Sequence, residues 1–246
     1  MTDKTYDIYS LYLNTIYRDA GTISSPQYTI NPSFNDIQAY KVKQFVCPLS
    51  VPVVDSRNNN IYFAESSGTL KTASLGELQD PSPSVFASTI QTALNSIGNS
   101  AYAVSYNTSS NKLVIANSTG TFRFSTNGSL NDTPHIFYEA GLMNSLNTSL
   151  ATSYTSENID ISGIKQINIF SNNLSNINIV GRNRNLLASI ITEESNLSVS
   201  QFQDDSADFI KTNNNNLSSI QLELRDERFR SITLDKDFTL QLLLKS

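Results

Sequence analysis

The sequence predicts a mainly β protein, a two-sheet sandwich interrupted by a smaller α+β domain. Three observations predict it. Short segments with period-two alternation recur along the 246-residue chain. Clusters of Asn, Ser and Thr punctuate them as turns. One stretch, from about 61 to 142, departs into a helical period. The length suffices for one large β domain or two modest ones with a real core. Charged residues make up 16%, against roughly 25% in ordinary soluble domains. The uncharged polar residues that replace them fit turns and the solvent faces of sheets. They also fit a surface that packs against copies of itself, since charge is depleted at interface cores. A coding bias toward Asn would push the composition the same way.

Residues 6–13 open the series by mixing β-formers with polar residues, around Ile8, Tyr9, Leu11, Tyr12 and Leu13. Residues 40–46 alternate through Tyr40, Val42 and Gln44, then become continuously apolar at Phe45 and Val46. Later come 164–170 (Ile164, Ile167, Ile169, Phe170), 177–180 (Ile177, Ile179, Val180), 220–224 and 238–244. Alternation puts one side-chain row into a core and the other toward water or a partner. Asn-rich clusters at 57–60 and 213–216 mark loops. Many short strands with polar turns predict a sandwich or jelly roll.

The helical stretch runs from Pro83 to Gly98. Phe86, Ile90, Ala93, Leu94 and Ile97 share one face, Ser82 or Ser84 caps the start, Pro83 suits the first turn, and Gly98 closes it. A second short helix is expected over 134–140, capped by Asp132 or Thr133 and stopped by Gly141. Strands at 102–106, 112–116 and 121–125 lie between, the first two joined by the polar loop 107–111. Polar flanks at 55–60 and 144–158 enclose this module, so an insertion is the simplest organisation: 1–58 and 158–246 form the jelly roll, and 59–157 the inserted α+β domain with its linkers.

Candidate chemistry is sparse. His135 is the one histidine and Cys47 the one cysteine, which excludes multi-His metal sites and intrachain disulfides. His135 is expected to be partly exposed at a helix start. Cys47, in an apolar run, reads as a buried small hydrophobe and not as the nucleophile of a Cys-His pair. The doublets Glu193-Glu194, Asp204-Asp205 and Asp226-Glu227 read as solvated turns, because strand neighbours point to opposite faces. Asp204, Asp205 and Asp208 offer oxygen ligands for calcium, but their spacing fits no EF-hand loop. No catalytic, cofactor-binding or metal residue is therefore assigned, and no cofactor is expected. The net charge is −5 with a pI near 4.9, and the densest basic segment, Arg182 and Arg184, is a polar turn. Direct nucleic-acid binding is thus not expected. The first residues lack a signal-peptide core and no apolar run reaches membrane-span length, so synthesis in the cytoplasm is expected.

Three stretches, in order, resemble a known family. The first is the capped helix 84–98 followed by Tyr102-Ala103-Val104-Ser105-Tyr106, a polar turn and Lys112-Leu113-Val114-Ile115. The second is Gln166-Ile167-Asn168-Ile169-Phe170 with Leu186-Leu187-Ala188 after a polar loop. The third is Gln221-Leu222-Glu223-Leu224-Arg225-Asp226, then Ile232-Thr233-Leu234 and Phe238-Thr239-Leu240-Gln241-Leu242. Together they are similar to the penton and minor capsid proteins, single jelly rolls with an inserted domain, of virophages, Polinton-like viruses and related double-stranded DNA viruses. The resemblance implies a non-enzymatic virion protein, a homopentamer at the fivefold vertices beside a major capsid protein. Chain geometry adds a further expectation: an insertion that enters and leaves through adjacent polar linkers sits at one end of its host domain, so the jelly roll should contact neighbouring subunits while the 61–142 module projects from the shell. The alternatives are a fibre head, a carbohydrate-binding jelly roll, or a cement-type minor capsid protein.

Overall fold

The computed structural model describes residues 6–66, 68–127, 130, 133–174, 186–192, 199–212 and 216–246. In chain order, β1 is Ile8–Asn14, β2 Ala20–Gly21, β3 Pro26–Asn35 and β4 Ala39–Pro48. Then come β5 Asn60–Glu65, β6 Lys71–Ser74, α1 Pro83–Ile97, β7 Tyr102–Asn107, β8 Lys112–Asn117, β9 Phe122–Phe124 and β10 Ser153–Asn158. The last group is β11 Gln166–Ser171, β12 Leu186–Ile191, β13 Val199–Gln203, β14 Ile210–Lys211, β15 Asn216–Arg225 and β16 Thr239–Lys245. The chain divides into two compact units, Met1–Val51 with Ile164–Ser246, and Pro52–Gly163. The strand read at 177–180 lies outside the described residues.

The first unit is a jelly-roll β-sandwich. One sheet runs β1-β16-β4-β13, with β14 also on β4, and the other runs β12-β11-β15-β3-β2. Among the described residues, eight strands make the roll: β1 pairs with β16, β3 with β15, β4 with β13 and β11 with β12. First thus meets last, second meets seventh, third meets sixth and fourth meets fifth, all antiparallel, as a hairpin rolled up across two sheets requires.

Side-chain parity explains how both sheets reach one core. On β16, Leu240, Leu242 and Leu244 are buried and the alternate residues are not. On β4 the inward row is Tyr40 and Val42, then Phe45 and Cys47, an odd step. The β16–β4 register shifts between Gln241 and Leu242, opposite that step. An extra residue in one strand flips which face each side chain occupies. The bulge is why this segment reads as alternating and then continuously apolar. Phe45 meets Phe238 with ring centroids 5.4 Å apart. On β11 both faces are buried, because the 226–231 loop covers the outer one. There Asn168 Nδ2 donates to the Asp226 carbonyl at 2.8 Å, and Phe229 lies 6.1 Å from Phe170.

The second unit has the sheets β6-β5-β9 and β10-β8-β7. In α1, Ser82 accepts from Val85 N at 3.4 Å, Pro83 begins the first turn, and Phe86, Ile90, Ala93 and Leu94 are buried. Ile97 departs from the expected core face and is exposed, since the helix ends there and the chain turns away at Gly98. The polar side of α1 acts as a substitute strand for the edge of β7. Asn95 accepts from Tyr102 N at 2.7 Å and donates to Tyr102 O at 3.0 Å, while Gln91 accepts from Val104 N at 2.8 Å. Edge groups that would otherwise recruit another strand are thereby satisfied.

The second helix expected over 134–140 is a single turn instead. Ala140 N donates to Ile136 O at 2.9 Å, but Ile136 N donates to Asn60 O at 3.0 Å, which ties it to β5. Ile136, Phe137, Ala140 and Leu142 are all buried. The segment therefore has no solvent face to justify an amphipathic helix. Gly141, at φ +63°, ends the turn where a Cβ would stand 2.6 Å from Glu157 O.

Glu65, at the end of β5, locks the exit of α1. Its carboxylate accepts from Asn99 N at 3.0 Å, Ser100 N at 3.1 Å and Tyr102 Oη at 3.0 Å, and pairs with Lys71 Nζ at 2.5 Å. Burial pushes its pKa up, but the donors led by Lys71 outweigh burial and hold it down at about 2. A depressed carboxylate pKa stabilises the fold fully above the unfolded-state value, 4.5, and that stability drains away as pH falls toward about 2. Glu65→Gln is expected to cost about 1–3 kcal/mol at neutral pH. Its urea-unfolding midpoint should also fall less than the wild type's between pH 4.5 and 2, because one titrating carboxylate is gone.

Candidate assembly surface

The residues with chemical potential are each engaged in structure. Cys47 is wholly buried on the inward row of β4, and burial alone pushes its thiol up to about 12. A thiol so raised is protonated and unreactive at neutral pH. His135 is buried, not partly exposed as the sequence predicts, because no helix start forms there. Its Nε2 lies 2.9 Å from Leu130 O and its ring stacks 5.3 Å from Phe137. Cys47 and His135 fall in separate units.

The acidic groups follow the same pattern. Asp204 and Asp205 sit in a loop after β13. Asp204 accepts from Ser206 N at 2.8 Å and pairs with Lys41 Nζ at 3.2 Å, while Asp205 pairs with Lys43. The hydrogen bond from Ser206 chiefly lowers the Asp204 pKa, and that from Lys43 chiefly lowers Asp205. Lys41, itself buried, also donates to Ser206 O. Two of the three carboxylates considered for calcium, Asp204 and Asp205, thus face ammonium groups. Asp226, read as a solvated turn, is fully buried and accepts from Arg228 N at 2.9 Å, Arg230 N at 2.9 Å and Arg230 Nε at 2.7 Å. It organises the loop that covers β11. The Glu193-Glu194 doublet, Arg182, Arg184 and Asp132 lie outside the described residues.

Among the described residues, one surface feature that packing does not explain lies along β1. From Ile8 to Tyr17 the chain carries no charged residue. Leu13 is buried, Leu11 is half-buried, and Tyr9 meets Phe34 of β3 at 5.3 Å. The opposite row, Ile8, Ser10 and Tyr12, points outward. After β1 a 3-10 turn, Thr15–Tyr17, presents Ile16 and Tyr17. Tyr12 is 72% exposed, Ile16 61% and Tyr17 77%.

This apolar strip is held rigidly. Asn14 accepts from Ile16 N at 2.9 Å. The buried Thr15 hydroxyl donates to Asp237 Oδ1 at 2.7 Å and accepts from Phe238 N at 3.0 Å, and Thr15 N donates to Phe238 O at 3.1 Å. Arg18 Nη1 donates to Thr15 O at 2.6 Å. Gln241 Nε2 donates to Ser10 Oγ at 2.8 Å and Tyr12 Oη at 2.7 Å. Large apolar groups fixed in place lose little entropy on binding, which is the usual character of an interface anchor. Reading residues 6–13 as a strand did not single these side chains out. The signal available was Tyr12 in the outward phase, within a run free of charge.

Among solved structures, that of the selenomethionine-labelled mavirus penton protein is similar to this chain. The match covers 99% of this chain and 100% of the other, with 16% sequence identity and a TM-score of 0.47. No protein-family model matches the sequence, and no curated protein does.

The Cys47 environment makes a direct prediction. In the folded protein Cys47 should fail to react with an aromatic disulfide reagent at pH 8 and should react with one equivalent after unfolding. Rapid native-state labelling would contradict a buried, protonated thiol.

Proposed function

We propose that this protein is a non-catalytic structural subunit of a virus capsid, a penton that closes the fivefold vertices as a homopentamer. The observation that carries the reading is the rigid, charge-free strip on β1, a surface suited to packing against other subunits. Two further features support it. The order of segments that resembles virophage penton and minor capsid proteins falls onto strands of one roll, with α1 and its hairpin in the unit between β4 and β11. The groups with catalytic potential, Cys47, His135 and Asp204 to Asp205, are used in packing or in ion pairs to lysine.

In this reading the sandwich makes the shell contacts and the 59–157 domain is accessory to them. The partners are four more copies of the chain and a major capsid protein, and the protein resides in the virion. The test is co-expression with the double jelly-roll major capsid protein of the same virus, with particles imaged by electron cryomicroscopy. Closed shells carrying this chain at the vertices are expected. Shells that close with another protein at every vertex and exclude this one would contradict the proposal, as would a stable trimer by native mass, which a fibre head would form.

A further inference from the structure

β1 ends its sheet, and among the described residues β16 is the only strand paired with it. The pairing uses alternate residues. Ser246 N donates to Asp7 O and Thr15 N to Phe238 O, both at 3.1 Å. In the register that runs from Ile8↔Lys245 to Asn14↔Thr239, the backbone groups of Asp7, Tyr9, Leu11, Leu13 and Thr15 therefore face β16. Those of Ile8, Ser10, Tyr12 and Asn14 face the open edge, where no described residue pairs with them. The strand Ile8–Asn14 carries neither proline nor charge, the devices by which solitary edges discourage pairing. On its core-facing row Leu11 is only half-buried and Tyr9 is 40% exposed. The sheet stops one strand short of covering them.

We infer that two copies of this chain join their β1 edges antiparallel about a two-fold axis, continuing the sheet of one copy into the other. Full overlap of the two strands puts Ile8 opposite the second copy's Asn14, Ser10 opposite its Tyr12, and Leu11 opposite its Leu11 on the axis. Every edge-facing residue then meets another, so all the open N–H and C=O groups pair. Charge identifies the occupant as a second copy. The same register sets Asp7 opposite the second copy's Thr15. There the guanidinium of Arg18 is anchored, its Nη1 donating to Thr15 O at 2.6 Å, while its Nη2 has no acceptor among the described residues. The Asp7 side chain is exposed and has no cation beside it among the described residues. The two-fold axis thus brings an available carboxylate to an available guanidinium twice. Slipping the register by two residues separates these charges and leaves edge groups unpaired at both ends. The pairing belongs to the free chain: a two-fold contact closes on a pair and not on a ring of five, so it precedes the shell contacts proposed above.

The test is sedimentation of the full chain, with hydrogen exchange read amide by amide at low and high concentration. A dimer is expected. The amides of Ile8, Ser10 and Tyr12 should slow as it forms, whereas those of Tyr9, Leu11 and Leu13, held by β16, stay slow at both concentrations. Ser10→Pro removes only an edge-facing donor, which an edge strand tolerates. It should weaken dimerisation about 30-fold or more, because each dimer loses two hydrogen bonds, with the melting temperature of the monomer nearly unchanged. Leu11→Cys should oxidise to a disulfide-linked dimer, since the two copies of that position meet on the axis with Cα atoms about 4.5 Å apart. Ser10→Cys should not, and native Cys47 is buried and silent. The exchange pattern needs no variant, so a variant that fails to fold leaves the test standing. A chain that is monomeric at every concentration yet enters shells overturns the pairing and leaves the capsid reading intact. A dimer in which Ile8, Ser10 and Tyr12 exchange as in the monomer, or in which Ser10→Pro changes nothing, also overturns it. A dimer with the expected exchange pattern, from a chain that shells exclude, supports the pairing and sinks the capsid reading instead.

Discussion

The position of β16 between β1 and β4 is the constraint on which the sandwich depends. Seven residues, Thr239–Lys245, pair on one side with Ile8–Asn14 and on the other with β4. Every contact that β16 makes in this sheet joins segments far apart in sequence, and the loop entropy of such closure is lost before the contacts return it. The return is large because the inward row, Leu240, Leu242 and Leu244, is wholly shielded, with Phe45, Tyr40 and Val42 beside it. Thr15 and Asp237 extend the same closure around the corner beyond β1. That corner then displays Ile16 and Tyr17. The display is a by-product of the lock that holds the roll shut.

The two units treat their sheet edges in opposite ways. In Pro52–Gly163, the polar face of α1 satisfies the edge of β7 through Asn95 and Gln91. In the roll, β1 presents tyrosine and isoleucine without charge or proline. A lone sandwich with such an edge is exposed to indiscriminate pairing. A subunit whose edge is covered on assembly gains specificity from the same residues, because rigid aromatic groups at a desolvated centre carry most of the binding energy of an interface.

Fold class was legible in the sequence because alternation survives in most strands. In β16, Leu240, Leu242 and Leu244 announce one buried face, and α1 announced itself through Ser82, Pro83 and the spacing of Phe86, Ile90 and Leu94. Misreadings came where tertiary contacts overrode local pattern. Residues 134–140 have a helical start and stop, yet Ile136, Phe137 and Ala140 are all buried and Ile136 N is drawn to Asn60. Asp226 looked like a solvated turn because its partners, Arg228 and Arg230, reach it only once the loop folds over β11. The surface strip was hidden for a related reason. A tyrosine on a strand reads as a core residue until the parity of its neighbours places it outside.

Hydrogen exchange in a variant lacking residues 1–14 tests the central claim most directly. If β1 completes the closure around β16, amides of β4 and β16 should lose their slow exchange together with those of β15 and β11, in one cooperative step. If β4 and β16 keep wild-type protection without β1, the closure does not hold the sandwich and the account is wrong.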